Sequence, residues 1–167
     1  MVEGQTRVEK EGEALRLLAL EIRPQKAGFA VFEGATLLDW GVRDYGPTPA
    51  FRRIGTLLSL YAPSVIVIRR RHYLKHGDTV ARVVQSIKRG AQRKSISVQS
   101  LDAHRIRAFF KQQGCESKHA ASTLLAEWFP ELAWKLPPER KPWQPEPHNT
   151  LLFDAVAIAV TFLIAQS

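Results

Sequence analysis

The sequence predicts an α/β domain with a mixed sheet, in which three antiparallel strands are extended by parallel strands and helices cover both faces. Three observations support this prediction. Apolar runs separated by turn residues occupy residues 15–45, two later β-branched runs alternate with segments of helical spacing, and the rest of the chain is helical in pattern. A meander followed by helix-linked strands implies parallel additions to one sheet.

The first predicted strand, residues 15–22, organises the others. Its run is apolar up to Glu21, which is typical of a central strand covered on both faces. A second run at 29–32 completes a hairpin, and residues 35–45 give a third strand. A carboxylate at the exit of a buried strand costs free energy unless a cation or donor meets it. The simpler interpretation of Glu21 is a strand-end acid in water.

The other elements follow from helical spacing, cap residues and β-branched runs. We predict strands at 64–68 and 95–98 and helices at 49–61, 79–93, 102–113, 118–128 and 150–165. The predicted caps are Thr48, Asp102 and Ser117. Residues 129–147 are rich in proline and are expected to form either a loop ordered by its contacts or a mobile lid, with little regular structure. We expect a single domain over residues 14–167, preceded by a disordered tail at 1–13.

Charge and composition narrow the function. The chain carries 24 Lys and Arg against 16 Asp and Glu, a net charge of +8, which favours polyanionic partners. One cysteine excludes an internal disulfide and a cysteine-built metal site. No apolar run reaches the ~20 residues of a membrane helix, and residues 1–13 do not form a signal peptide. We therefore expect a cytoplasmic protein with no membrane partner.

Basic residues cluster after the fourth strand and along the next helix. Three arginines of that helix, at positions 82, 89 and 93, share one face. Tyr73, within the cluster, is suited to stacking on bases or wedging between them. The alternative interpretation is a solvated basic face. The predicted nucleic-acid-binding residues are Arg69, Arg70, Arg71, Tyr73, Lys75, Arg82, Arg89, Arg93 and Lys94.

Two acids, Glu21 and Asp154, stand in otherwise apolar elements. Asp154 alone is explained by the positive end of a helix dipole. Together, on a strand exit and on the last helix, they resemble the acids of the RNase H-like superfamily, and most closely those of the RuvC type of Holliday-junction endonuclease. The motifs that carry the resemblance lie at 17–31, 63–69 and 154–159, and the likeness spans about residues 15–165.

This resemblance implies an RNase H-like fold and a homodimer that recognises branched DNA by its shape. It also implies cleavage by two Mg²⁺ ions, held by four acidic or imidazole side chains, which activate water and stabilise the leaving oxygen. The chain departs from that pattern at three of the four positions. Glu21 stands where Asp is usual, Arg69 replaces a Glu, and Leu151 replaces an Asp or His.

Arg69 is the most consequential departure, because it removes a ligand and adds a fixed positive charge that repels a metal ion. We predict that Arg69 takes the place of a metal and pairs with Glu21 and Asp154 as a remnant of the catalytic site. The alternative is a single-metal site on Glu21 and Asp154, completed by His148 or by His72 or His76.

Three functions remain open at this point. The first is a RuvC-like protein that binds branched or structured nucleic acid, with DNA junctions favoured and cleavage weakened or lost. The second is an active structure-selective endonuclease that depends on Mg²⁺ or Mn²⁺. The third is a dimerising scaffold subunit. Metal affinity separates the second from the others, and salt-dependent DNA binding separates the first from the third.

Overall fold

The computed structural model describes residues 14–70 and 78–166. In it, five strands form one sheet in the order β3-β2-β1-β4-β5. β1 pairs antiparallel with β2 and parallel with β4, β2 pairs antiparallel with β3, and β4 pairs parallel with β5. The predicted mixed sheet is confirmed. The strands are β1 (Arg16–Ile22), β2 (Lys26–Glu33), β3 (Thr36–Asp44), β4 (Val65–Arg70) and β5 (Ser97–Asp102).

Helices lie on both faces of this sheet, as predicted. The first two contribute to one buried cluster, and the other three contribute to the cluster on the opposite face. They are α1 (Ala50–Tyr61), α2 (Thr79–Arg93), α3 (Ala103–Gln112), α4 (Lys118–Trp128) and α5 (Thr150–Gln166). None of the helices in the described part of the chain is long and apolar enough to cross a membrane.

β1 is central because both of its faces are apolar. Leu17 and Ala19 belong to the cluster under α5, whereas Leu18 and Leu20 belong to the cluster under α1 and α2. Successive side chains of a strand point to opposite faces, so a continuous apolar run needs cover on both sides. α5 supplies much of that cover, and its residues 151–160 are all buried. Such a helix is apolar on every side because every side has a neighbour.

Two local predictions were wrong. The strand predicted at 95–98 runs instead over Ser97–Asp102, because Ser95 adopts a left-handed φ of 57° in the turn after α2. Thr48 does not cap α1, since the N-cap is Pro49 and no side chain bonds there. The proline-rich stretch contains a 3-10 helix, Pro130–Lys135, which buries Leu132 completely. The predicted caps Asp102 and Ser117 are confirmed, and each accepts a backbone N–H. The tail predicted at 1–13 lies outside the described residues.

Candidate functional site

Glu21 lies at the carboxyl end of β1, next to β4. Leu20 is paired with Ile68, so Glu21 and Arg69 come next on two neighbouring parallel strands. Strand alternation places Glu21 on the same face as Leu17 and Ala19, which is the face that α5 covers. The Glu21 side chain is only 1% exposed. The residue is therefore not a strand-end acid in water.

Gly28 lets α5 approach this edge of the sheet. It is paired with Glu21 across the hairpin. A Cβ at Gly28 would lie 2.0 Å from the backbone oxygen of Leu151, a distance at which the helix would have to move. The backbone of the first turn of α5 therefore rests directly on β2. Asp154, one turn further along α5, is in this way brought to the end of β1, where its side chain is 5% exposed.

Arg69 contacts both buried acids. Its Nε lies 3.0 Å from Glu21 Oε2, and its Nη2 lies 3.9 Å from Asp154 Oδ1. The guanidinium group therefore lies between the two carboxylates. Its fixed planar arrangement of donors suits such a double contact better than an ammonium group would. The structure thus brings together the three residues that the sequence singled out.

Three further charged residues, which the sequence analysis missed, complete the group. Arg23 Nη2 lies 3.7 Å from both Glu21 Oε1 and Asp154 Oδ2, and 3.4 Å from Glu146 Oε2. Lys118 Nζ donates to Glu146 Oε1 at 2.8 Å and lies 3.0 Å from Asp154 Oδ2. We call these six residues the ion-pair cluster: Glu21, Arg23, Arg69, Lys118, Glu146 and Asp154. Among the described residues it joins three acids to three cations.

The pKa values of two acids in the cluster, Asp154 and Glu146, are shifted in opposite directions. Burial, together with the nearby charge of Glu21, raises the pKa of Asp154 to about 6, although Lys118 and Arg69 act in the opposite direction. Lys118 is half exposed, so solvent weakens its effect. For Glu146, burial acts to raise the pKa, but Lys118, Arg23 and Arg140 together lower it. The outer acid is thus held in its charged form, and the inner Asp154 is held less firmly.

The donors present do not fit a metal centre. No group of three or more His, Cys, Asp or Glu side chains suited to a metal ion occurs within residues 14–70 and 78–166. Three cations occupy the space between the acids instead. The candidate ligand His148 lies with its Nδ1 3.3 Å from Lys26 Nζ on the exposed surface, and a neighbouring ammonium group disfavours metal binding there. His72 and His76 lie outside the described residues.

The predicted nucleic-acid-binding residues fall into three groups. Arg70 and Lys94 are exposed, as are the three arginines of one face of α2, which we call the α2 stripe: Arg82, Arg89 and Arg93. Arg69 is turned inward to the ion-pair cluster. Arg71, Tyr73 and Lys75 lie outside the described residues.

A second basic surface, not predicted from the sequence, lies beside the cluster. α3 presents the exposed cations Arg105, Arg107 and Lys111. A cavity of about 470 Å³ separates α3 from α4 and α5, and Arg69, Lys118 and Asp154 contribute to its wall. The spacing of four residues between Arg107 and Lys111 was visible in the sequence, but the cavity depends on how three helices meet.

Comparison with known proteins gives matches at the level of structure. No family profile and no curated protein matches the sequence. Thermus thermophilus RuvC in complex with a Holliday junction substrate matches with a TM-score of 0.63 at 16% identity, over 91% of this chain and 95% of that chain. The yeast mitochondrial Holliday junction resolvase matches with a TM-score of 0.64 at 13% identity, over 90% of this chain and 78% of the other.

A third match is the fowlpox virus resolvase in complex with Holliday junction DNA. Its TM-score is 0.54 at 10% identity, over 91% of this chain and 99% of that chain. The chain has the fold of the RuvC-type resolvases. The likeness to the Thermus thermophilus protein covers 91% of its length.

Proposed function

We propose that this chain is a RuvC-like protein that binds branched DNA and in which cleavage is weakened or lost. The observation that carries the proposal is the position of Arg69, whose guanidinium lies between Glu21 and Asp154 at the carboxyl edge of the sheet. A cation in this position satisfies the two acids electrostatically, which is the task that a metal performs in an active member of the fold.

Binding is supported by the distribution of charge. The net charge is +8, and two exposed basic surfaces, the α2 stripe and the cations of α3, belong to helices on opposite faces of the sheet. Phosphate contacts from such surfaces supply most of the affinity for nucleic acid and make it strongly dependent on salt. Two of the matched structures contain Holliday junctions. The proposal includes the homodimer that the resemblance implies.

Loss of cleavage is supported by the charges around the acids. Glu21 and Asp154 are each within 4 Å of two arginines, and Asp154 is also 3.0 Å from Lys118. A divalent ion placed among them would be repelled by every one of these cations. Hydrolysis by the two-metal route needs carboxylates that are free to bridge the ions, and here the carboxylates are engaged.

One observation favours an active nuclease as the alternative. Glu21 and Asp154 both reach the same guanidinium, so a single Mg²⁺ or Mn²⁺ ion in its place would be within reach of both carboxylates if Arg69 moved away. The sequence-based proposal that His148 completes such a site is weakened by its position against Lys26.

The decisive experiment uses a labelled four-way DNA junction with Mg²⁺ and with Mn²⁺. Binding is measured on native gels and cleavage on denaturing gels from the same reactions. We expect a salt-dependent shift and intact strands, both for the wild type and for Asp154→Asn. Symmetric nicks that disappear in Asp154→Asn would establish the nuclease instead. A chain that neither shifts nor nicks the junction would refute both and favour the scaffold role.

A further inference from the structure

The cavity beside the ion-pair cluster has an apolar interior. Ile106 and Phe110 of α3, Leu125 of α4 and Phe153 of α5 contribute to its wall, and all four are buried. Its volume, about 470 Å³, lies within the range of pockets that hold small organic ligands. A pocket lined in this way suits a flat apolar group such as a nucleobase.

The same cavity carries positive charge. Arg107 and Lys111 line it from α3, where a separation of four residues places them on one face. Arg69 and Lys118 line it from the side of the ion-pair cluster. Two acids, Asp154 and Glu116, also line the described cavity. Asp154 is already paired with Lys118, so Glu116 is the acid that remains to offset the charges of Arg107 and Lys111.

This combination selects among ligands. A purely apolar ligand would make no use of the cations, and a simple anion would make no use of the aromatic wall. A nucleotide has both parts, because its base offers apolar faces for stacking and its phosphate suits an arginine. The cavity also shares Arg69, Lys118 and Asp154 with the cluster, so a strand bound across the cluster would lie next to its wall.

We propose that this cavity receives an unpaired nucleotide from branched DNA, with the base against Phe110 and Leu125 and a phosphate near Arg107 and Lys111. The inference rests on the proposed function, and it adds which feature of branched DNA the protein selects. Taking a base out of a duplex costs free energy, and the cost is smallest where the base is already unpaired or lies at a branch. The preferred ligand is therefore a junction that offers an unpaired nucleotide.

The test uses four-way junctions with 2-aminopurine at successive positions from the branch point, because this base fluoresces more strongly when it is unstacked. Gel shifts and fluorescence are read from the same samples at saturating protein. The charge variant is Arg107→Gln, and its matched control is Arg105→Gln, an exposed arginine of α3 that is not part of the described cavity wall. The filling variant is Ala121→Trp, at the cavity wall, and its control is Ala108→Trp, on the exposed side of α3.

We expect the wild type to raise the emission at one or two positions next to the branch. Arg107→Gln should weaken binding of the junction that offers an unpaired nucleotide about tenfold, as expected for the loss of one charged hydrogen bond. Arg105→Gln should preserve the preference for this junction over one in which every nucleotide is paired. Ala121→Trp should abolish the rise in emission while the junction still shifts. Saturated binding without a rise in emission, or an equal rise in Ala121→Trp, overturns the inference and leaves the proposed function standing. Absence of binding overturns both.

Discussion

Replacing Arg69 with glutamine removes the cation that contacts both buried acids. The resulting loss in the free energy of unfolding can be worked out from these contacts. The guanidinium lies 3.0 Å from Glu21 and 3.9 Å from Asp154. At such separations each pair attracts by roughly 4 to 6 kcal/mol for an effective dielectric constant of 20. Removing one partner of a buried pair costs about 3–5 kcal/mol in practice.

Two features place Arg69→Gln at the lower end of that range. The Arg69 side chain is 24% exposed, so part of its charge is already solvated. Arg23 remains 3.7 Å from both acids after the substitution. We therefore expect a loss of about 3 kcal/mol in the free energy of unfolding. With a urea dependence of roughly 2 kcal/mol per molar, the unfolding midpoint falls by about 1.5 M.

A double-mutant cycle with Glu21→Gln identifies the cause. If Arg69 stabilises the fold by compensating Glu21, neutralising Glu21 in the Arg69→Gln background recovers about 2 kcal/mol relative to the sum of the single effects. Arg70→Gln, at the exposed next position of β4, should change stability by no more than about 0.5 kcal/mol. Additive effects, or a cost for Arg69→Gln no larger than that of the control, would refute the electrostatic explanation.

Three further predictions concern pH, packing and salt. Since the folded pKa of Asp154 is raised from 3.8 to about 6, its contribution to stability is present at low pH and is lost as the pH rises through 6. Wild type should therefore gain about 1.5 kcal/mol relative to Asp154→Asn as the pH falls from 6 to 4.5, measured by urea unfolding. The lowered pKa of Glu146 opposes this gain only below its ordinary value of 4.5. Gly28→Ala should lower the free energy of unfolding by about 1–3 kcal/mol, because its Cβ would clash with α5. Gly55→Ala, where nothing lies within 4 Å, should raise the free energy of unfolding by about 0.5–1 kcal/mol in the same urea experiments. Changing the α2 stripe to glutamine should make the slope of log affinity against log salt less negative by about 2.7 in junction titrations if each arginine contacts one phosphate.

The sheet was predictable because it depends on local patterns. A short apolar run bounded by turn residues predicts a strand that is covered on both faces, and it placed β1 at the centre of the sheet. Boundaries were less predictable. Ser95 begins a β-like run in sequence but adopts a left-handed φ of 57° to close the turn after α2. The 3-10 helix in the proline-rich stretch depends on a place for Leu132 in the core, which is a property of the assembled fold.

The inner part of the site was also predictable, and the outer part was not. Strand alternation and the parallel pairing of β1 with β4 bring Glu21 and Arg69 together. Glu146 pairs with Lys118 across 28 residues and with Arg23 across 123, and it lies in a proline-rich stretch with no periodicity. Contacts of that kind arise only when a loop settles on helices, so no pattern in the sequence marks them.

The charge balance of the cluster determines when a metal could enter it. Its three acids and three cations sum to zero, so a divalent ion would add an uncompensated charge of two. At about 4 Å from a retained guanidinium, that ion would be repelled by roughly 8 kcal/mol at an effective dielectric constant of 20. Lys118 and Arg23 are the more exposed of the three cations in the cluster, with side chains 50% and 28% exposed, and DNA phosphates are the ligands most able to draw them away.

Any Mn²⁺ uptake by the wild type should therefore require bound junction DNA. Electron paramagnetic resonance titrations of Mn²⁺ can test this order with the protein alone, the junction alone and the complex, and with Asp154→Asn in each arm. Tight Mn²⁺ binding by the free protein that is lost in Asp154→Asn would contradict the argument, because it would mean that the cations of the cluster do not hold the acids against a metal. Mn²⁺ binding in the complex alone would mean that DNA phosphates and the carboxylates of the cluster compete for the same cations, Lys118 and Arg23.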